Sequence, residues 1–183
     1  MLNTKALFLA TLLTSGSAMA NIGGLYQAAC EKTEDGLSSQ DSVNFGKTNA
    51  RQVLVVYLDA SCKTAAYAFD VKGPYKLSET GALDLTTSSF QLMPLNQAIV
   101  DAYNQKSLCG FSDWAVNKPK ELASLSCEGS QFPEAGSVSF QTIQEVEGGI
   151  VFGALTAAQD GSTSEKRPVE FSSVVYKAVK TSN

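Results

Sequence analysis

The chain has 183 residues, 14 basic against 18 acidic side chains and a formal net charge of −4. That balance, with Arg51 and Arg167 as its two arginines, lacks the clustered positive charge that nucleic acid or an anionic membrane surface requires. It also contains no histidine, which removes Ser-His-Asp and Cys-His nucleophilic machinery, histidine acid–base work and histidine-ligated metals together.

Residues 1–20 read as a cleavable secretory signal peptide. Lys5 charges a short n-region, Ala6 to Leu13 form an apolar core, and Ala18-Met19-Ala20 puts alanine at −3 and −1. The apolar run is too short to span about 30 Å of hydrocarbon, so no membrane anchor is expected. Cleavage between Ala20 and Asn21 leaves residues 21–183 as one domain. A bacterial lipoprotein would need cysteine at position 21, so the destination is expected to be periplasmic or secreted without a lipid anchor. Lys5 leaves with the signal, so the mature charge becomes −5.

The predicted elements of the mature chain are mostly strands. Gly24-Leu25-Tyr26 opens the first, which ends near Cys30. Arg51 to Asp59 is the clearest strand: Val53, Val55 and Tyr57 share one face, and Leu54, Val56 and Leu58 the other. A strand apolar on both faces is covered on both sides. Ala60 to Lys63 is short enough to join it in a hairpin to Thr64–Val71, where Tyr67, Phe69 and Val71 alternate with Ala66, Ala68 and Asp70. Leu83 and Leu85 are expected to pair with Phe90 and Leu92 across Thr86–Ser89.

Then comes one helix, about Gln97 to Leu108. Asn96 is its N-cap, Leu95 and Val100 stand at the positions of a hydrophobic staple, and Gly110 is its stop. Its apolar stripe is expected to cover an outer face of the sheet. Val138–Ile143 and Ile150–Leu155 flank a hairpin turn at Glu145–Gly149. Asp160-Gly161 starts a polar loop that lacks the alternating acids of a calcium site. Pro168 to Val179 forms the last strand. Eight to ten short strands joined by hairpins, with one helix, predict an all-β, antiparallel up-and-down β-barrel.

Cys30, Cys62, Cys109 and Cys127 form an even set in an oxidising compartment and read as two disulfides. Three pairings are open. Locality favours Cys30–Cys62 and Cys109–Cys127, each contributing about 3–4 kcal/mol by loop closure. The cysteines lack Cys-x-x-Cys spacing and have no histidine partners, so no metal is expected. No cofactor motif occurs either: the phosphate-binding Gly-x-x-x-x-Gly-Lys and the Gly-x-Ser-x-Gly elbow are both missing.

Gly24-Leu25-Tyr26, Cys30-Glu31, Tyr57-Leu58-Asp59-Ala60-Ser61-Cys62 and Gly73-Pro74-Tyr75, in that order, resemble the domain of the adenomatosis-polyposis-coli-down-regulated family. Those are extracellular lipocalin-like barrels associated with lipid-modified ligands. The Gly-x-aromatic start also resembles the lipocalin (calycin) opening, with Tyr26 in place of its tryptophan. Lys177 and Lys180 stand in the last strand where lipocalins carry an arginine. The resemblance implies a Cys30–Cys62 bridge and a barrel able to hold an apolar ligand.

The leading expectation is therefore a non-enzymatic barrel that binds a small apolar molecule or lipid. Tyr57, Tyr67, Phe69 and Trp114 are the candidate ligand-binding residues, with ordinary core packing as the competing reading of each strand aromatic. For Trp114 that competing reading is a plug at one barrel end. A protein-interaction module (inhibitor, adhesin or envelope structural component) is the alternative, with the Cys109–Cys127 segment meeting the protein partner. Glu31, Asp59, Asp70 and Asp113 are the acids that a carboxylate-dependent hydrolase would use.

Overall fold

Residues 22–180 are described by the computed structural model; the expected signal peptide and its cleavage site lie outside them. The strands in chain order are β1 (Gly24–Gln27), β2 (Glu31–Lys32), β3 (Ser38–Phe45), β4 (Asn49–Tyr57), β5 (Ala65–Leu77), β6 (Ala82–Thr86) and β7 (Ser89–Pro94). After helix α1 (Gln97–Lys106) come β8 (Lys120–Glu121), β9 (Ser126–Cys127), β10 (Ser130–Gln131), β11 (Val138–Val146), β12 (Gly149–Gly153) and β13 (Phe171–Ala178).

Eight of these strands close a barrel. β1 pairs with β3, and the antiparallel ladder then runs through β4, β5, β6, β11, β12 and β13 back to β1. This is the all-β up-and-down barrel expected from the hairpin-rich sequence. Closure leaves no open edge among these strands. Because facing residues share a side of the sheet, the register identifies the lumen face. Val43 faces Gln52, Phe45 faces Ala50, Tyr75 faces Leu85 and Ile150 faces Tyr176. One end of that face is solidly packed: Ile22, Val43, Phe45, Ala50, Leu83, Ile143 and Ile150 are buried together, with the Phe45 and Tyr75 rings edge-on at 5.2 Å.

Three sequence expectations need correction. Leu83 and Leu85 do not pair with Phe90 and Leu92. β6 and β7 are two halves of one strand, and both pair with β5: Tyr75 faces Leu85, and Val71 faces Phe90. Thr87 and Ser88 are an extra step between the halves, a bulge rather than a turn. Gly73 is what allows it, since a Cβ there would lie 1.6 Å from the Thr86 carbonyl oxygen. The segment 86–89 holds no glycine, proline, asparagine or aspartate to reverse the chain.

The helix ends earlier than expected. Asn96 caps it by accepting from the Ile99 amide, but Ser107 terminates it in the left-handed conformation (φ 48°). Gly110 ends the short 3-10 turn that follows. The helix also covers a different surface. Val100 and Tyr103 pack with Tyr67, Phe69 and Leu92. Phe69 faces Leu54 across the ladder, so this is the lumen side of the sheet, not its outside.

β3 was not anticipated at all. Its sequence, Ser-Ser-Gln-Asp-Ser-Val-Asn-Phe, keeps large apolar residues only at Val43 and Phe45.

Candidate functional site

Both expected disulfides are present. Cys30–Cys62 has a Cα–Cα distance of 6.0 Å and ties the β1–β2 link to the loop after β4. That loop is organised by Asp59, whose carboxylate accepts from the amides of Ser61, Lys63 and Thr64 and from the Ser61 hydroxyl. These donors, the Ser61 hydroxyl first, hold the Asp59 carboxyl far below the usual carboxylate range. Ser38 donates to the Asp59 carbonyl (2.5 Å) and accepts from the Cys62 amide (3.1 Å). Two disulfides are compatible with an oxidising, extracytoplasmic location.

Cys109–Cys127 pins the segment after α1 to β9. Here the structure gathers three of the four candidate aromatics. Tyr67, Phe69 and Trp114 share one cluster with Phe90, Tyr103, Phe111 and Phe132. Trp114 is 3% exposed, stacks edge-on with Tyr103 at 5.2 Å and donates its Nε1 hydrogen to the Leu108 carbonyl. Asn104 clamps the Trp114 backbone from both sides, accepting from its amide and donating to its carbonyl. Glu121 fastens β7 beneath. Burial pushes its carboxyl up, but donors from Ser89, Phe90, Gln91 and Ala123 outweigh this and hold it below its ordinary value. Tyr57 stands apart. It faces Ala65 and Ser38 and points away from the side carrying Leu54.

The acids singled out in the sequence do not converge. Asp70 is buried outside the lumen between Arg51 (2.8 Å) and Lys72 (3.2 Å). Asp113 pairs with Lys120 at 2.7 Å. Asp59 serves its loop, and only Glu31 borders a cavity.

That cavity is in the barrel lumen, beyond the packed end. It has a volume of about 590 Å³, and its walls include Val43, Leu54, Leu85, Phe152 and Val174. Small residues make the room: Ala28, Ala29, Ser39, Ser139, Gly153, Ala154 and Ser172 line it as well. None of Tyr57, Tyr67, Phe69 and Trp114 is among the lining residues.

No protein-family model matches this chain, and no curated protein does either.

A polar group interrupts the apolar wall. Asp41 on β3 accepts on Oδ2 from Gln52 Nε2 of β4 (2.6 Å) and from the Tyr176 hydroxyl of β13 (2.8 Å). Its Oδ1 is buried and has no hydrogen-bond partner among the described residues. Burial pushes the Asp41 carboxyl up, and the Tyr176 and Gln52 donors offset only part of that. Tyr176 is also pushed above the ordinary phenol value, by burial first and then by the Asp41 charge. Asp41, Gln52 and Tyr176 escaped the sequence reading. The signal that could have found them is the alternation of β3, where Ser39 and Asp41 occupy inward positions in line with Val43 and Phe45.

Proposed function

We propose that this chain is an exported, non-catalytic barrel that binds one small, largely apolar molecule in its lumen. The observation that carries the reading is the cavity of about 590 Å³, with apolar side chains over much of its wall and a convergent polar cluster of Asp41, Gln52 and Tyr176. Ligand pockets commonly measure roughly 300–1,000 Å³ and have this make-up. An eight-stranded barrel can either fill its interior or hold one small ligand. The closed up-and-down barrel and the Cys30–Cys62 bridge agree with the lipocalin-like resemblance and support that reading of the fold family. The alanine pair at −3 and −1 supports export to the periplasm or medium.

The test is native mass spectrometry of protein purified from its own host, followed by titration with the neutral dye Nile red. A co-purified apolar molecule, or saturable dye binding at one site, is the expected result. A bare protein that leaves the dye unbound would overturn the reading.

A protein-interaction module is the second reading. Trp114 is buried and so is poorly suited to be its contact. The reading draws instead on Leu155, Val169 and Phe171, which are 62%, 71% and 40% exposed. The Ala154 amide bonds the Glu170 carbonyl and Gly153 faces Phe171, so these three residues lie on neighbouring segments. A partner captured by the wild-type chain and lost on Val169→Asp would favour it.

A further inference from the structure

The charges around the lumen say more about the ligand than its size does. Among the described residues two acids line the cavity, Asp41 in the wall and Glu31 in an exposed position, and no lysine or arginine does. The chain has two arginines, and both are spent elsewhere. Arg51 neutralises Asp70, and Arg167 meets Asp84 at 2.5 Å while also donating to the carbonyls of Leu83 and Gln141. Asp41 has no ion pair among the described residues. It meets two neutral donors, both on one oxygen. A shielded carboxylate without a counter-charge is costly, and natural proteins usually pair it.

From this we infer that the lumen takes an amphiphile with an apolar body and a cationic amine head, and that Asp41, Gln52 and Tyr176 form its head-group site. The inference rests on the lumen being the binding site. An alkylammonium carries up to three donors and no acceptor, and the three residues present complementary acceptors. Asp41 offers a carboxylate. Gln52 spends its amide nitrogen on Asp41 and retains its carbonyl oxygen. Tyr176 spends its hydroxyl hydrogen there and retains its oxygen lone pairs. The Gln52 and Tyr176 bonds are already charge-assisted through the carboxylate, and an ammonium within reach of Asp41 Oδ2 adds the opposite charge that they lack. Glu31 adds attraction of the same sign. A fatty carboxylate would bring like charge against Asp41 and find no cation in the wall. Leu54, Leu85, Phe152 and Val174 remain to cover the apolar body.

The experiment compares three probes of equal chain length on the full mature protein at pH 7, below their micelle concentrations: dodecylamine, dodecan-1-ol and dodecanoate. Each displaces Nile red or is followed by calorimetry. Dodecylamine is expected to bind at least tenfold more tightly than the alcohol, with dodecanoate the weakest. In Asp41→Asn the amine falls to within about twofold of the alcohol. Glu31→Gln lowers amine affinity by a smaller factor. Dodecanoate binding as well as dodecylamine overturns the inference, and so does an amine preference that survives Asp41→Asn. Comparison of the three probes on the wild-type chain needs no variant and decides the matter even if Asp41→Asn folds poorly. Alcohol binding without amine preference overturns this inference alone. Failure of all three probes and of the dye overturns the lumen reading with it.

Discussion

Apart from the core around Phe45 and Ile150, the lumen face of this sheet has two regions that are treated differently. At one end of β5, Tyr67 and Phe69 lie under α1 and the disulfide-pinned segment, packed against Phe90, Tyr103, Trp114 and Phe132. Further round the same face, Ala28, Ser39, Ser139, Ala154 and Ser172 surround a cavity of about 590 Å³. Protein interiors are packed to crystal-like density, so side-chain volume decides where space remains. The aromatics that look most like ligand contacts in the sequence fill one region. The cavity lies where the inward positions are small.

The largest effect that tests this contrast is on the filled region. Trp114→Ala removes a nearly fully buried indole and its hydrogen bond to Leu108, and is expected to cost about 3–5 kcal/mol in urea unfolding. Nile red binding by the protein that remains folded should persist. Loss of stability below about 1 kcal/mol would mean that the aromatic cluster is loosely packed, and the contrast would fail.

The disulfides separate the regions next. Replacing either pair by serine should cost about 3–4 kcal/mol, since their sequence separations of 32 and 18 differ little in loop-closure entropy. Their effects on the cavity should differ. Cys30 lies between Ala29 and Glu31, which line it, so the Cys30→Ser/Cys62→Ser protein should bind dye several-fold more weakly. Cys109→Ser/Cys127→Ser should leave the dye affinity of the folded fraction unchanged. Equal dye affinities for the two variants would contradict the separation.

A matched pair sharpens it further. Leu92→Trp inserts bulk into a site only 4% exposed and should cost about 1–3 kcal/mol. Leu85→Trp, at a side chain that packs on the core and also borders the cavity, has open lumen to extend into and should cost clearly less than Leu92→Trp. It should instead abolish dye binding. If both variants lose the same stability, the lumen is not empty in solution.

Much of the frame was legible. Asn96 as a helix cap, the Glu145–Gly149 turn and the apolar alternation from Arg51 are local signals, and local chemistry produces them. The bulge between β6 and β7 was not, because it depends on Gly73 opposite it, a long-range approach invisible at Thr87-Ser88. β3 was hidden for a reason tied to the candidate site. Hydrophobic alternation reveals a strand that buries one face in a core. In β3 the inward positions Ser39 and Asp41 face a cavity, so the pattern survives only at Val43 and Phe45, where the core begins. A strand that lines a pocket gives up part of the signal that would identify it.

The smallest expected effect concerns Asp41 itself. Burial raises its folded-state pKa above the ordinary value, so the native state holds this proton more tightly than the unfolded chain does. Wherever the group is ionised it therefore weighs against folding. That penalty fades as pH falls through the folded pKa and is gone below the ordinary value of 3.8. Asp59, Glu121 and Asp160 act in the opposite sense. Their folded pKa values are lowered, Asp160 to about 2, so their contribution is present above the ordinary values and is lost in acid. Wild-type stability alone would mix the two. The difference in Tm between Asp41→Asn and wild type cancels the shared carboxylates. Gln52, Tyr176 and Glu31 act on the group from β4, β13 and β2, and remain in both proteins. The difference should grow in favour of the variant as pH rises from the ordinary value of 3.8 through the folded pKa and then level off, whatever constant offset the altered hydrogen bonds add. A difference that does not vary with pH would mean that Asp41 is solvated, and the lumen would then lack the uncompensated charge that an amine head is inferred to meet.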